Sequence, residues 1–401
     1  MLFGCRVVET AFLAISACSL AAAAPFMRHG PTVLEPLGSS PAQERILALD
    51  IDFNWNVPGP QTYVNAYAPP GLWAGASPRT HADWYARMGV NAAQSFAVSC
   101  DGYAWYHSKL LPHQPGLASD FLTELVALLH ERGVSAYGYF NVGSNTRWGL
   151  AHAHLSYGAP AACHIPFTRA YTDFLAASVA DALARTGMDG FMLDWFWPVP
   201  AEVRAASSTG GAWLPAEREL YTELTGRAFP GEAGLTADAL FAYERAAVER
   251  LWAAVRAAAR AVNPSATIWL STNNISSALF ADSSVYREAD WVMDESGDPA
   301  RLRAALPQLG PRTRPVLCLS WSGVPAAAIL SDPANARFGL YGFAGPASQA
   351  ETVPMCADEY LRRPAAAFDG VARNVAALAR FYRGLPADYV NASLPADCPR
   401  K

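Results

Sequence analysis

The most restrictive feature of this sequence is the regular alternation of short, nearly unbroken apolar runs with amphipathic helical stretches. Eight runs read as strands: ILALDIDFNWN (46–56), VNAAQSFAVS (90–99), VSAYGYFNVG (134–143), MDGFMLDWFW (188–197), ATIWLSTN (266–273), DWVMDES (290–296), RPVLCLSWSG (314–323) and GLYGFAG (339–345). Strands apolar on both faces belong to parallel sheets covered on both sides. Helical spacing marks 118–133, where Phe121, Leu122, Leu125, Val126 and Leu129 share one face and Gly133 stops the helix. It also marks 80–88, 167–187, 238–262, 299–310, 331–338 and 368–384, the last with Val371, Val375, Leu378 and Tyr382 in register. Residues 198–237 read as a long insertion after the fourth strand. Eight such units in about 340 residues predict an α/β fold, a closed (β/α)8 TIM barrel, as a single catalytic domain over 45–385. A doubly wound open sheet is the rival, and it lacks a G-x-G-x-x-G turn after the first strand.

The ends read differently. Residues 1–24 carry Arg6, an apolar stretch and then small residues, the pattern of a signal peptide cleaved near Ala22 to Ala24, although Glu9 sits at the edge of the apolar stretch. The run ISAC ending at Cys18 also fits a bacterial lipoprotein signal, in which that cysteine becomes a lipid anchor. Either way the chain is expected to be secreted or periplasmic. Residues 25–44 are rich in Pro and Gly without a period and read as a linker; 386–401 read as a C-terminal tail. No other segment is long and charge-free enough for a membrane span.

Composition excludes some partners. The net charge of −5 and the absence of any Lys/Arg-rich run argue against nucleic acid and against an anionic membrane surface. Past the leader stand Cys100, Cys163, Cys318, Cys356 and Cys398, with no C-x-x-C and no zinc spacing, so no metal is expected. No dinucleotide fingerprint or phosphate cradle appears, so no cofactor is expected either.

Barrel enzymes gather their chemistry at the C-terminal ends of the strands. Those ends supply Asp50, Asp52, Asn54 and Trp55 from the first strand. The second gives Ser99, Cys100 and Asp101, followed by Tyr103, Trp105 and Tyr106, and the third Asn141, Asn145, Arg147 and Trp148. Later strands give Asp194, Trp195 and Trp197; Ser271, Thr272, Asn273 and Asn274; Asp294 and Glu295; and Ser320, Trp321 and Ser322. Carboxylates, amides and aromatics at one rim suit an oligosaccharide or glycoconjugate, whose hydroxyls need polar partners and whose apolar ring faces stack on indoles. Glycoside hydrolysis needs only two carboxyls and water. Asp194, at the end of a buried strand, must face polar company or a ligand, because a lone buried carboxylate is costly. Its structural alternative is an ion pair with Arg147 or Arg204. Glu295 is the first choice for the second carboxyl, with Asp294 pointing the other way; Glu217, Glu219 and Glu223 of the insertion are runners-up. Asp52, Asn54, Trp55, Asp101, Trp105, Tyr106, Asn141, Arg147, Trp148, Trp195, Asn273 and Trp321 are the candidate sugar contacts. Asp101 precedes Gly102, where an aspartate also serves simply to close a turn.

Two segments carry a resemblance. SCDGYAWYHSKL, followed by DFLTELVALLHERGVSAYGYF, and MDGFMLDW resemble the barrel of the α-L-fucosidases of glycoside hydrolase family twenty-nine over roughly residues 46–197. The resemblance implies that Asp194 is the nucleophile of a retaining mechanism. The family's paired histidines fall on Ser99 and Cys100, and its first-strand His-Trp on Asn54-Trp55, so it leaves the sugar open. The expected activity is a retaining, fucosidase-like glycoside hydrolase whose two carboxyls stand about 5–5.5 Å apart. The alternative is a glycan-binding barrel without catalysis.

Overall fold

In the computed structural model of the protein, residues 45–54, 68–158, 164–320, 322, 324–344, 357–368, 370–386 and 389 are described. The expected leader and linker, nearly all of the tail, Trp55, Trp321, Cys163, Cys356 and Cys398 lie outside them.

All eight expected strands form, and they close into one parallel barrel in sequence order. They are β1 Leu47–Ile51, β2 Ala92–Val98, β3 Ser135–Asn141, β4 Gly190–Asp194, β5 Thr267–Thr272, β6 Trp291–Asp294, β7 Arg314–Cys318 and β8 Gly339–Ala344. β1 closes the ring on β8, with Leu47 opposite Leu340 and Ile51 opposite Ala344. The helices are α1 Pro78–Met88, α2 Phe121–His130, α3 Thr146–Ala151, α4 Arg169–Thr186, α5 Ala201–Ala206, α6 Pro215–Thr225, α7 Ala237–Val262, α8 Ser284–Glu288, α9 Pro299–Ala305, α10 Ala326–Leu330, α11 Ala357–Arg362 and α12 Gly370–Tyr382. The expected helix at 331–338 is instead a single 3-10 turn, Pro333–Asn335, with α10 just before it.

Local chemistry sets the helix ends. Ser77 caps α1 through the Thr80 N–H, Pro78 follows at the first turn, and Gly89 ends the helix in the left-handed region. Thr168 and Thr236 cap α4 and α7 in the same way. At Gly190 a side chain would collide with the Thr267 backbone of the neighbouring strand, so β4 and β5 need a glycine there to reach their register.

The barrel interior is filled rather than hollow. Tyr137, Trp269, Trp291 and Tyr341 project inward and pack on one another, with ring centroids 4.7 Å apart for Tyr137–Trp291, 5.1 Å for Trp269–Trp291 and 5.2 Å for Trp269–Tyr341. Above this aromatic layer Phe96 and Tyr139 meet at 4.5 Å, and the Tyr341 hydroxyl donates to Gln94 Oε1 at 2.7 Å. Side chains two residues further along each strand leave this plug at the C-terminal mouth, because strand side chains alternate faces. Asp52, Asn141, Asp194 and Ser271 reach the mouth in this way. Among the described residues no helix is long and apolar enough to cross a membrane.

Candidate active site

The centre of the mouth is a pair of carboxyls. Asp194 is the last residue of β4. Glu295 stands one residue beyond β6, its N–H donating to Thr272 O of β5 at 2.9 Å, so the sheet itself fixes its backbone. The two carboxyls are hydrogen-bonded to each other, and Ser271 of β5, between them in strand order, donates its hydroxyl to Glu295 Oε1. Asp194 also accepts the Tyr139 hydroxyl at Oδ2 (2.7 Å) and the Trp195 N–H at Oδ1 (2.9 Å). Densely surrounded as they are, both acids retain some exposed surface.

Burial raises both carboxyls above the ordinary range, and the partners split them. Burial acts first on Asp194, but the Tyr139 hydroxyl, the Trp195 N–H, Glu295 and Ser271 all favour its charged form. Glu295 is pushed well above the usual range by burial and then by the negative charge of Asp194, with Ser271 opposing. Like charges in contact cannot both ionise at neutral pH, so the pair shares one proton and Glu295 holds it. The arrangement supplies an ionised carboxylate and a neutral carboxylic acid side by side.

The ion pairs that would make Asp194 structural do not form. Arg204 is engaged by Glu217 at 2.6 Å, and Arg147 lies over the Tyr103 ring, 5.1 Å from its centroid. The runners-up fall away as well. Glu217 is buried in that ion pair, Glu219 is exposed, and Glu223 is an exposed partner of Arg169 and Arg250. Asp294 faces away as expected, fully buried and bound by the Ser296 N–H and hydroxyl.

The walls of the mouth come from several expected residues. Trp195 has φ +52, in the left-handed region that costs a side-chain-bearing residue about 1 kcal/mol. The turn stacks its indole between His164 (5.7 Å) and Trp197 (5.5 Å). It also brings the Trp195 carbonyl so close to Gly143 that a Cβ there would lie 2.7 Å away. Burial pushes His164 down to about 4, so this nearby imidazole is neutral at neutral pH. Asp52 is half-buried, with Oδ1 accepting the Asn54 N–H at 2.8 Å. Asn54 and Asn141 are spent on the scaffold: Asn54 Oδ1 accepts the Cys100 N–H at 3.0 Å, and Asn141 Nδ2 donates to Cys100 Sγ at 2.8 Å. Asn273 is exposed past β5.

Trp105 and Tyr106 are placed otherwise than expected. Both are fully buried: Trp105 stacks on Phe53 at 4.3 Å, and the Tyr106 hydroxyl donates to Asp181 of α4 at 3.0 Å. The chain after β2 folds back, with Trp105 N–H donating to Ala97 O, so these rings plug the core behind the strand. Asp101, Arg147 and Trp148 line a groove beside the mouth. Trp55 and Trp321 lie outside the described residues.

Sequence reasoning passed over Tyr139. The signal was present, since Tyr139 stands two residues before Asn141 and must share its inward face. It also left Asp50 without a role. Asp50 is 2% exposed beneath the mouth, and its Oδ1 has no hydrogen-bond partner. Burial and then the charge of Asp52 raise it well above the carboxylate range, with the Ile51 N–H and the neighbouring Tyr341 hydroxyl opposing. The native state therefore binds this proton more tightly than the unfolded chain. Its stabilisation is complete below the ordinary carboxylate pKa and is lost as pH rises through the folded value, about 1.4 kcal/mol per unit of difference. Asp50→Asn removes that loss. The melting temperature of the parent should fall more steeply than the variant's as pH rises above the ordinary carboxylate range. Parallel melting curves would show that Asp50 is not neutral in the fold.

A closed parallel barrel with paired carboxyls at its C-terminal mouth has the architecture of many glycoside hydrolases. Comparison with solved structures finds the same fold. Over 85% of this chain and 49% of the other it superposes on α-L-fucosidase isoenzyme 2 from Paenibacillus thiaminolyticus, with a TM-score of 0.57 and 14% identity. Over 77% of this chain and 95% of the other it superposes on the PgaB (BpsB) glycoside hydrolase domain from Bordetella bronchiseptica, with a TM-score of 0.51 and 16% identity. The chain thus spans about half the length of that fucosidase. No family model and no curated protein sequence matches it.

Proposed function

We propose that the protein is a retaining glycoside hydrolase, a divergent relative of the family twenty-nine α-L-fucosidases. Asp194 is its nucleophile and Glu295 its acid and base. The observation that carries this reading is the carboxyl pair, which holds one proton on Glu295 while three or more donors keep Asp194 charged. In the free protein Glu295 donates to Asp194; in the complex the glycosidic oxygen takes that hydrogen bond. Asp194 then attacks the anomeric carbon as Glu295 protonates the departing oxygen. Glu295, now ionised, takes a proton from the water that releases the sugar. Retention is favoured over inversion because inversion needs carboxyls about 6.5–9.5 Å apart with water between them. Tyr139 and Ser271 are positioning residues, each acting through one carboxyl.

The glycone is a neutral sugar. Asp52, Asp194 and Glu295 leave no room for a second anion, and the imidazole beside Trp195 carries no charge. With residues 1–24 read as a leader, the protein is secreted or periplasmic and the reaction lies outside the cytoplasm.

The test is a panel of aryl α- and β-glycosides, fucosides included, assayed across pH with the parent and with Glu295→Gln. The parent should give a bell-shaped kcat/KM profile. Its acid limb reports Asp194 above the ordinary carboxylate range, and its basic limb reports Glu295 well above it. Glu295→Gln should abolish the basic limb and lower kcat/KM about a hundredfold on poor leaving groups, with little loss of kcat/KM on activated ones, whose kcat falls instead because release of the sugar has lost its base. No turnover anywhere on the panel, with glycan binding retained, would favour a glycan-binding barrel, the reading to which the closed carboxyl pair also lends itself.

A further inference from the structure

A groove of about 600 Å³ opens beside the mouth, between the segments that follow β2 and β3. Its lining is mostly apolar, and two of its members, Leu110 and Leu150, are 48% and 72% exposed. A single exposed leucine means little, but two on one concave surface, with Pro112 and Phe174 in the same lining, mark a place where an apolar group would leave water. The groove also holds one cationic group free to act. Arg147 rests on the Tyr103 ring with Nη1 3.3 Å from the phenol oxygen, and among the described residues no carboxylate pairs with it. Asp101, the one acid among the described lining residues, is committed elsewhere: it accepts the Tyr103 N–H at 2.9 Å and Gln114 Nε2 at 2.8 Å.

The groove adjoins the carboxyl pair. The start of α3 is pinned to the end of β2 by Thr146 N–H to Cys100 O (3.1 Å) and Arg147 N–H to Asp101 O (3.0 Å). Cys100, the neighbour of Asp101, accepts Asn141 Nδ2 at its Sγ (2.8 Å), and Asn141 stands opposite Asp194 across β3 and β4. A ligand with its glycosidic bond at Asp194 could therefore extend into the groove across the Cys100–Asp101 wall. We propose that this groove binds the leaving portion of the substrate, an apolar aglycone bearing one anionic group that meets Arg147. The assignment rests on the glycosidase reading for its place in the reaction, while the binding site itself does not. Apolar walls select the body of the aglycone, and a guanidinium already oriented by an aromatic face selects its charge.

The two parts separate by experiment. 8-Anilinonaphthalene-1-sulfonate, an apolar aromatic anion, and its neutral analogue N-phenyl-1-naphthylamine are titrated by fluorescence into the folded parent, Leu150→Asp and Arg147→Gln. Circular dichroism and the melting temperature confirm that each variant is native. The parent should bind the sulfonate at one saturable site, and Leu150→Asp should weaken both dyes about tenfold. Arg147→Gln should weaken the sulfonate about tenfold and the neutral dye less than about twofold. Absence of saturable binding by the native parent, or unchanged affinity in Leu150→Asp, overturns the site. A second measurement concerns its role. Leu150→Asp should lower kcat/KM for glycosides of apolar aglycones and leave glycosyl fluorides, which carry none, unchanged. An equal effect on both substrates would overturn the role as aglycone site, whatever the dyes show.

Discussion

Asp194→Asn lowers kcat by at least about 10⁴-fold on any glycoside the parent cleaves, with glycan binding retained. The asparagine keeps the shape of the carboxyl: its oxygen can still accept the Trp195 N–H, and its amide N–H can donate to the Tyr139 hydroxyl in place of accepting from it, so the mouth should keep its shape. In the proposed mechanism, what disappears is the anion that attacks the anomeric carbon, and with it the glycosyl-enzyme intermediate. The smaller variant Asp194→Gly sharpens the result. It opens a space where azide can attack an activated aryl glycoside from the nucleophile's side, displacing the phenolate and leaving a glycosyl azide of inverted configuration. Recovery of turnover with that product identifies Asp194 as the nucleophile in a way that a merely structural role could not imitate. Activity of Asp194→Asn within about tenfold of the parent would remove the retaining mechanism.

How much of this was legible in the sequence depends on whether a residue's role is set by its own strand or by distant partners. The barrel was legible because each strand is apolar on both faces, and that property is local. The place of Asp194 and Glu295 at the mouth was legible because each stands at the C-terminal end of an apolar run, and those ends gather at one rim of a barrel. Their contact was not, since it depends on the closure of β4, β5 and β6 and on Ser271 between them. Trp105 misled because an aromatic after a strand end can line a cleft or fold back into the core. The backbone pairing of Val98 with Ala104 decides for the core, and nothing in the local pattern announces that pairing. Arg147 sits at the expected rim yet serves a different concavity, because α3 turns its side chain toward Tyr103.

The insertion gives the second large effect, and it concerns stability. Arg204→Ala should destabilise the protein by about 3–5 kcal/mol, because it strands a buried carboxylate. Glu217 is 1% exposed on α6. Its Oε1 accepts Arg204 Nη2 at 2.6 Å and the Tyr243 hydroxyl at 3.1 Å, and its Oε2 accepts the Tyr157 hydroxyl. Tyr157 in turn accepts the Leu214 N–H at 2.9 Å, and the Arg204 guanidinium lies 4.5 Å from the Trp213 ring centroid. One ion pair thus ties α5, α6 and α7 to the segment after α3. A sequence reading takes a glutamate on an amphipathic helix for solvated decoration; here the guanidinium thirteen residues earlier draws it inside. The energetic content lies in the mutual compensation of the two charges rather than in their attraction alone. The double variant Arg204→Met with Glu217→Leu, which fills the same space without charge, should therefore lose far less than either single change. Denaturant unfolding of the parent, the single variants and the double variant closes the cycle. If the double variant is as unstable as Arg204→Ala, packing around Trp213 and Tyr157, and not the stranded charge of Glu217, is what holds the insertion on the barrel.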